Sequence, residues 1–171
     1  SASVLPDNAR VGMPAPPALV NRRLLLALLC AVFAIHFVDR QILGILITPI
    51  KAVLALSDTA LGLLSGYAFT IVFSIVGLVI ARYADRVDRA RVIGVSLAVF
   101  SVMTSLCGFA ASFAQLLLAR VGVGIGEGGT NPASHALIAD VFPPTERAGA
   151  MAVYAVGPHV GLVLAFGVGG W

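Results

Sequence analysis

The chain has 171 residues, of which 59% are hydrophobic and only 11% charged, and its mean hydropathy is +1.00. A water-soluble domain of this length would struggle to hold so apolar a chain in solution, so the bilayer is its expected solvent. The net charge of +3 reports where Lys and Arg fall around membrane spans, not a nucleic-acid-binding surface.

Residues 1–21 hold Pro6, Pro14, Pro16 and Pro17 and read as a flexible tail. Runs of roughly 20 apolar residues then predict membrane helices over about 22–47, 60–82, 91–111, 115–139 and 148–171. The first begins Arg22-Arg23 before an apolar run, like a signal peptide, but hydrophobicity resumes after Arg40, so a full span is expected. None of the segments alternates with period 2, which excludes barrel strands, and the short loops leave no room for a soluble domain. The expected fold is therefore all-α, a polytopic membrane helix bundle, with residues 22–171 as one transmembrane unit.

Outside the spans, Arg10, Arg22, Arg23, Arg82, Arg86, Arg89, Arg91 and Arg147 fall on one side and Lys51 alone on the other. That asymmetry puts the N-terminus in the cytoplasm. Cys30 and Cys107 lie near opposite ends of their spans, so neither a disulfide nor a metal site is expected.

The informative residues are charges inside the apolar runs: Asp39 and Arg40 in the first span, Arg120 and Glu127 in the fourth. Ionisable groups at membrane depth are costly and mark ion or substrate pathways. Helical spacing puts Arg120, Glu127, Asn131 and Ser134 on one stripe, and His36, Asp39 and Arg40 within about a third of the first helix's circumference. Counting the rise along each helix places Asp39 and Arg120 at similar depth and Glu127 nearer the midplane, so the two faces can meet.

Two readings stand for that meeting. Asp39 with Arg120, or Arg40 with Glu127, could be buried ion pairs that hold helices in register. In a carrier, Glu127 could instead bind a proton on one side and release it on the other as its exposure alternates. His36 fits a satisfied buried polar group better than a proton relay, and His135 and His159 carry no readable pattern. Pro132 beside Asn131 is expected to bend its helix, as where a span lines a cavity.

The run 124–129, Gly-Ile-Gly-Glu-Gly-Gly, satisfies G-x-G-x-x-G, but no strand precedes it, so a dinucleotide site is not expected. Gly122 with Gly126, and Gly124 with Gly128, instead sit four apart, the spacing that lets a neighbouring helix approach closely. An enzyme is not expected either. Ser134 and His135 project about 100° apart on a helix, a poor nucleophile–base geometry.

The loop from Ala81 to Arg91, with Asp85, Arg86 and Arg89, resembles the signature G-x-x-x-D-R-x-G-R plus a basic residue that joins the second and third helices of the major facilitator superfamily. Ala81 and Asp88 replace its glycines and Ala90 the last basic residue. Arg120 with Gly124 and Gly126 is similar to the fourth-helix motif. Gly157, Pro158 and Gly161 resemble the fifth-helix antiporter pattern, with Leu162 in place of its final glycine, and so favour exchange over symport. The stretches 39–43 and 120–140 most resemble spinster-type members, including bacterial ones.

That resemblance implies a twelve-helix fold in two halves, of which this chain would supply about five helices and leave a half incomplete. It implies a carrier in the bacterial inner membrane, working by alternating access with protons as coupling ion and no other cofactor, and exporting lysophospholipids or sphingoid phosphates. The expected partners are the amphiphilic substrate, the lipid bilayer and the remaining helices of the same transporter. Asp39 and Glu127 would bind protons or the substrate head group, with Arg40 and Arg120 as charge partners and His36 and Asn131 beside them. Asp85, Arg86 and Arg89 would form a cytoplasmic latch with Asp140 and Arg147, although an inward loop is arginine-rich for topological reasons alone. Uptake of organic acids or sugar phosphates is the alternative, because buried arginines also suit small anions.

Overall fold

The computed structural model describes residues 21–84 and 88–169. The predicted tail, apart from Asn21, lies outside the described residues. Every regular element among the described residues is helical: α1 (Arg22–Leu54), α2 (Asp58–Gly62), a π-helical turn (Leu63–Tyr67), α3 (Ala68–Ala84), α4 (Arg89–Gly108), α5 (Phe113–Val141), α6 (Pro144–Tyr154) and α7 (Gly157–Gly169).

Local chemistry sets several helix starts. The Asn21 side chain accepts hydrogen bonds from the backbone N–H of Arg23 at 3.1 Å and Leu24 at 3.4 Å, satisfying two of the amides that a helix start leaves bare. Ser57 caps α2 through Ala60 N–H at 3.2 Å, and Ser112 caps α5 through Gln115 N–H at 3.3 Å. Asp88, which departs from the family signature, accepts from Ala90 N–H at 3.0 Å and caps α4.

Helix ends depart from the sequence-based bounds where packing overrides local signals. α1 runs past Ile47 to Leu54, straight through Pro49. Ile50 and Leu54 pack with Leu43, Leu64 and Leu116, and that burial outweighs the single backbone bond a proline removes. α5 likewise continues through Pro132 as one helix of 29 residues. The fifth predicted span is interrupted instead, with α6 ending at Tyr154 and α7 beginning at Gly157. Pro158 has no N–H for the Tyr154 carbonyl and its ring crowds that carbonyl, so it is accommodated in a new first turn.

Among the described residues, three helical stretches are by length and composition apolar enough to cross a membrane, Arg22–Leu54, Arg89–Gly108 and Pro144–Gly167, and Thr70–Ile80 is a shorter apolar helix. α5 is long enough but carries its glycines and its two mid-helix charges inward: Arg120, Gly122, Gly124, Gly126, Glu127, Gly128 and Gly129 are all buried.

α5 packs against α3 and α4, whereas α1 packs against α6 and α7. Along the bundle the core falls into layers. Leu29, Ile93, Ile138 and Phe142 close the end where α1 starts; Leu43, Leu64 and Leu116 close the opposite end; Phe100 and Val123 lie between. The glycines make the approach possible. A Cβ on Gly126 would lie 2.5 Å from Phe100 N and 2.8 Å from the Ser96 carbonyl of α4, and one on Gly128 would lie 2.9 Å from the Phe73 carbonyl of α3. On the other pair, a Cβ on Gly157 would lie 2.7 Å from the Cys30 carbonyl, and Gly161 backs onto the Ala34 carbonyl. Because these neighbours are backbone they cannot swing aside, so Gly161→Val is expected to part α7 from α1. The cost should be at least the roughly 1–3 kcal/mol of ordinary overpacking, seen as a lowered unfolding temperature in detergent.

Candidate functional site

The charged residues meet where α1 crosses α5. Arg120 Nη1 contacts Asp39 Oδ2 at 2.7 Å, and Arg40 Nη2 is ion-paired with Glu127 Oε1. Both pairs named from helical spacing are therefore formed at once. They are not equivalent. The Asp39–Arg120 side chains are 14% and 5% exposed, so that pair is shut inside the bundle, whereas Glu127 at 6% faces an Arg40 that is 40% exposed. Thr104 on α4 adds a hydrogen bond to Asp39 Oδ1 at 3.2 Å, tying a third helix to the closed pair. Sequence reasoning missed Thr104, because one of four hydroxyls in an apolar helix, with Ser96, Ser101 and Ser105, is no signal until its neighbour is known.

Arg40 and Glu127 border a cavity of about 250 Å³ whose other walls include Phe33, Phe37, Phe73 and Tyr154. The Arg40 guanidinium lies 5.4 Å from the centre of the Phe73 ring, close enough for a cation–π contact. His36 also lines this cavity. It is 2% exposed, its ring lies 4.2 Å from that of Phe100, and its Nε2 has no hydrogen-bond partner. The expectation of a satisfied buried histidine is thus corrected: the ring is packed, but the nitrogen is not satisfied. Glu127 Oε2 is likewise buried without a partner. Buried polar atoms normally find partners, so two unmet ones on a single cavity suit a place built for a polar ligand.

Asn131 borders the same cavity and accepts a hydrogen bond from the Tyr154 hydroxyl at 2.9 Å. Tyr154 was not foreseen. It stands at the end of α6 with no sequence pattern to mark it, and only the packing of α6 on α5 brings the two together.

At the end of the bundle where α1 starts, Arg89 at the head of α4 is ion-paired with Asp140 near the end of α5. Asp85 and Arg86 lie outside the described residues. Arg147 is not seen in an ion pair with Asp140: its Nε donates to the Phe142 carbonyl at 3.0 Å, satisfying an acceptor beyond the end of α5. Gly122, Gly126, Gly128 and Gly129 are packed against α3 and α4, the close helix approach that their spacing suggested.

The sequence profile of the Major Facilitator Superfamily matches residues 29–171. The chain belongs to the major facilitator superfamily. An MFS-type efflux pump of Mycolicibacterium smegmatis is 42% identical over 128 residues, 75% of this chain and 30% of the pump. A hexuronate transporter of Bacillus subtilis is 30% identical over 127 residues, 74% of this chain and 30% of that protein. A crystal structure of a bacterial homologue of the human lysosomal transporter Spinster, inward-facing and occupied, superposes with a TM-score of 0.83 at 40% identity. The overlap covers 87% of this chain and 32% of that one. This superfamily chain thus spans about a third or less of the length of these relatives. Its structural likeness to the spinster type agrees with the residues that suggested it, and the superfamily relatives are carriers, not enzymes. As a superfamily member with apolar helices, the chain is an integral membrane protein.

Proposed function

We propose that the chain forms part of a proton-coupled, spinster-like secondary transporter that moves a lysophospholipid or sphingoid-type amphiphile by alternating access, in the plasma membrane of a bacterium with its N-terminus in the cytoplasm. The observation that carries this reading is the Arg40–Glu127 pair on a partly open cavity walled by Phe33, Phe37 and Phe73. A guanidinium and a carboxylate suit an ionic head group, and aromatic walls suit the apolar carbon beside it. The coupling follows from exchange of partners. A proton on Glu127 weakens its hold on Arg40, and the freed guanidinium takes the anionic part of the ligand; departure of the ligand restores the pair. The bodies that rock around it are the two helix bundles of the whole carrier, of which this chain supplies part of one.

Asp39, Arg120 and His36 keep that crossing in register and polarise the cavity. Arg89 and Asp140 form the cytoplasmic gate, with Asp85 and Arg86 completing its loop. Because Arg89 and Asp140 are both partly exposed, Asp140→Asn should cost at most about 1 kcal/mol of stability. It should nevertheless favour the conformation open to the cytoplasm, read as faster labelling of a cysteine placed at Asn131. Unchanged labelling would remove the pair from gating.

The likeness to a hexuronate transporter supports one competing reading, an uptake carrier for small organic anions or sugar phosphates. Binding to the intact protein in detergent separates the two. A lysophospholipid should bind and a hexuronate should not compete with it; the reverse pattern overturns the lipid reading.

A further inference from the structure

Asn131 stands in a wall between two chambers. On one side is the cavity of about 250 Å³ that holds Arg40 and Glu127. On the other, between α3 and α5, the wide chamber is a largely open groove of about 480 Å³ bordered by Ser74, Gly77, Pro132 and His135. Phe73 and Asn131 border both. The wide chamber has no charged side chain among its lining residues, so it suits the neutral part of a ligand.

The Asn131 amide is held by Tyr154 with its oxygen toward the hydroxyl. Its Oδ1 accepts from the Tyr154 hydroxyl at 2.9 Å. Tyr154 is itself held: it is 2% exposed, its ring stacks on Phe33 with centroids 4.8 Å apart, and the His135 ring meets it edge-on at 5.2 Å. A carboxamide carries one acceptor oxygen and a donor NH₂ group. With the oxygen engaged by Tyr154, donation is what Asn131 has to offer a ligand that spans the wall.

We propose that Asn131 is a specificity-determining residue that donates to an acceptor oxygen in the neutral linkage of an amphiphile, whose charged group sits at Arg40 and Glu127 and whose linkage lies across the wall into the wide chamber. Tyr154 is the positioning residue that keeps the amide turned for donation. The inference rests on the amphiphile-carrier reading above and adds to it the part of the ligand that is read.

The test compares two lysophospholipids alike in head group and chain length, one with an acyl ester linkage and the other with an alkyl ether in which a methylene replaces the carbonyl. Binding is measured to the intact protein in detergent. One neutral hydrogen bond should favour the ester by roughly three- to tenfold. Asn131→Ala should bring the ratio to about one. Tyr154→Phe, which keeps the ring and removes only the hydroxyl, should lower the ratio without abolishing binding, because the amide is then free to turn; it also carries the test should Asn131→Ala fail to fold. A purely structural role for Asn131 would change both affinities together and leave their ratio alone. Absence of an ester preference in the unaltered protein, or a preference unmoved by the substitutions, overturns the inference and leaves the carrier reading standing. Failure of the unaltered protein to bind either lipid overturns the amphiphile reading and this inference with it.

Discussion

In proteoliposomes, the Glu127→Gln protein is expected to keep substrate exchange and to lose its response to a pH gradient. Glutamine preserves the size of the side chain and can still accept a hydrogen bond from Arg40, so the helix crossing should survive. What it cannot do is gain and lose a proton. Glu127 is the better placed of the two acidic residues for that role. Its partner Arg40 is 40% exposed, its Oε2 lacks a hydrogen bond, and both residues line the cavity. Asp39, by contrast, is held by Arg120 and Thr104. The measurement is uptake driven by an imposed pH gradient, set beside counterflow with no gradient. Loss of the first with retention of the second is the expected pattern, and proton-driven uptake at the unaltered rate would remove Glu127 from the coupling.

The second large effect concerns the closed pair. Asp39→Ala takes away the carboxylate that Arg120 Nη1 contacts at 2.7 Å in a place where the arginine side chain is only 5% exposed, and it strips Thr104 of its acceptor. Breaking a buried pair by removing one partner costs about 3–5 kcal/mol, whereas replacing both partners by apolar groups is often neutral. Asp39→Ala should therefore unfold at markedly lower temperature in detergent, and the double variant Asp39→Leu, Arg120→Met should recover most of the loss. The recovered protein then decides what the pair is for. It is expected to fold and to transport poorly, because an apolar crossing beside Arg40 no longer supports the charge that comes and goes at Glu127. Transport by the double variant at the unaltered rate would make Asp39 and Arg120 a register clamp and nothing more.

Much of this site was legible because charges are so rare in the chain. Four ionisable residues in apolar helices have few places to go, and helical spacing puts each on a definite face. Mutual pairing followed from those facts. The spacing did not distinguish the closed pair from the open one, a difference that lies in the Thr104 hydrogen bond and in the exposure of Arg40. Nor could it find Tyr154, whose hydroxyl acquires meaning only once α6 lies on α5. The gate shows the same division: Arg89 and Asp140, two of the residues the family resemblance put in the latch, are paired, while Arg147 donates to the Phe142 carbonyl.

The sequence by itself determined that the chain is helical, that it belongs in a bilayer, and that α1 and α5 carry the chemistry, because hydropathy and the 3.6-residue period are properties of each segment alone. Its prolines mark the boundary of that kind of knowledge. Pro49 and Pro132 lie inside unbroken helices, whereas Pro158 opens a new one after a break. A proline's local cost is the same wherever it stands, one missing donor and one crowded carbonyl. Whether the helix continues depends on the apolar surface buried on both sides of it, and that is decided only when the neighbouring helices are in place.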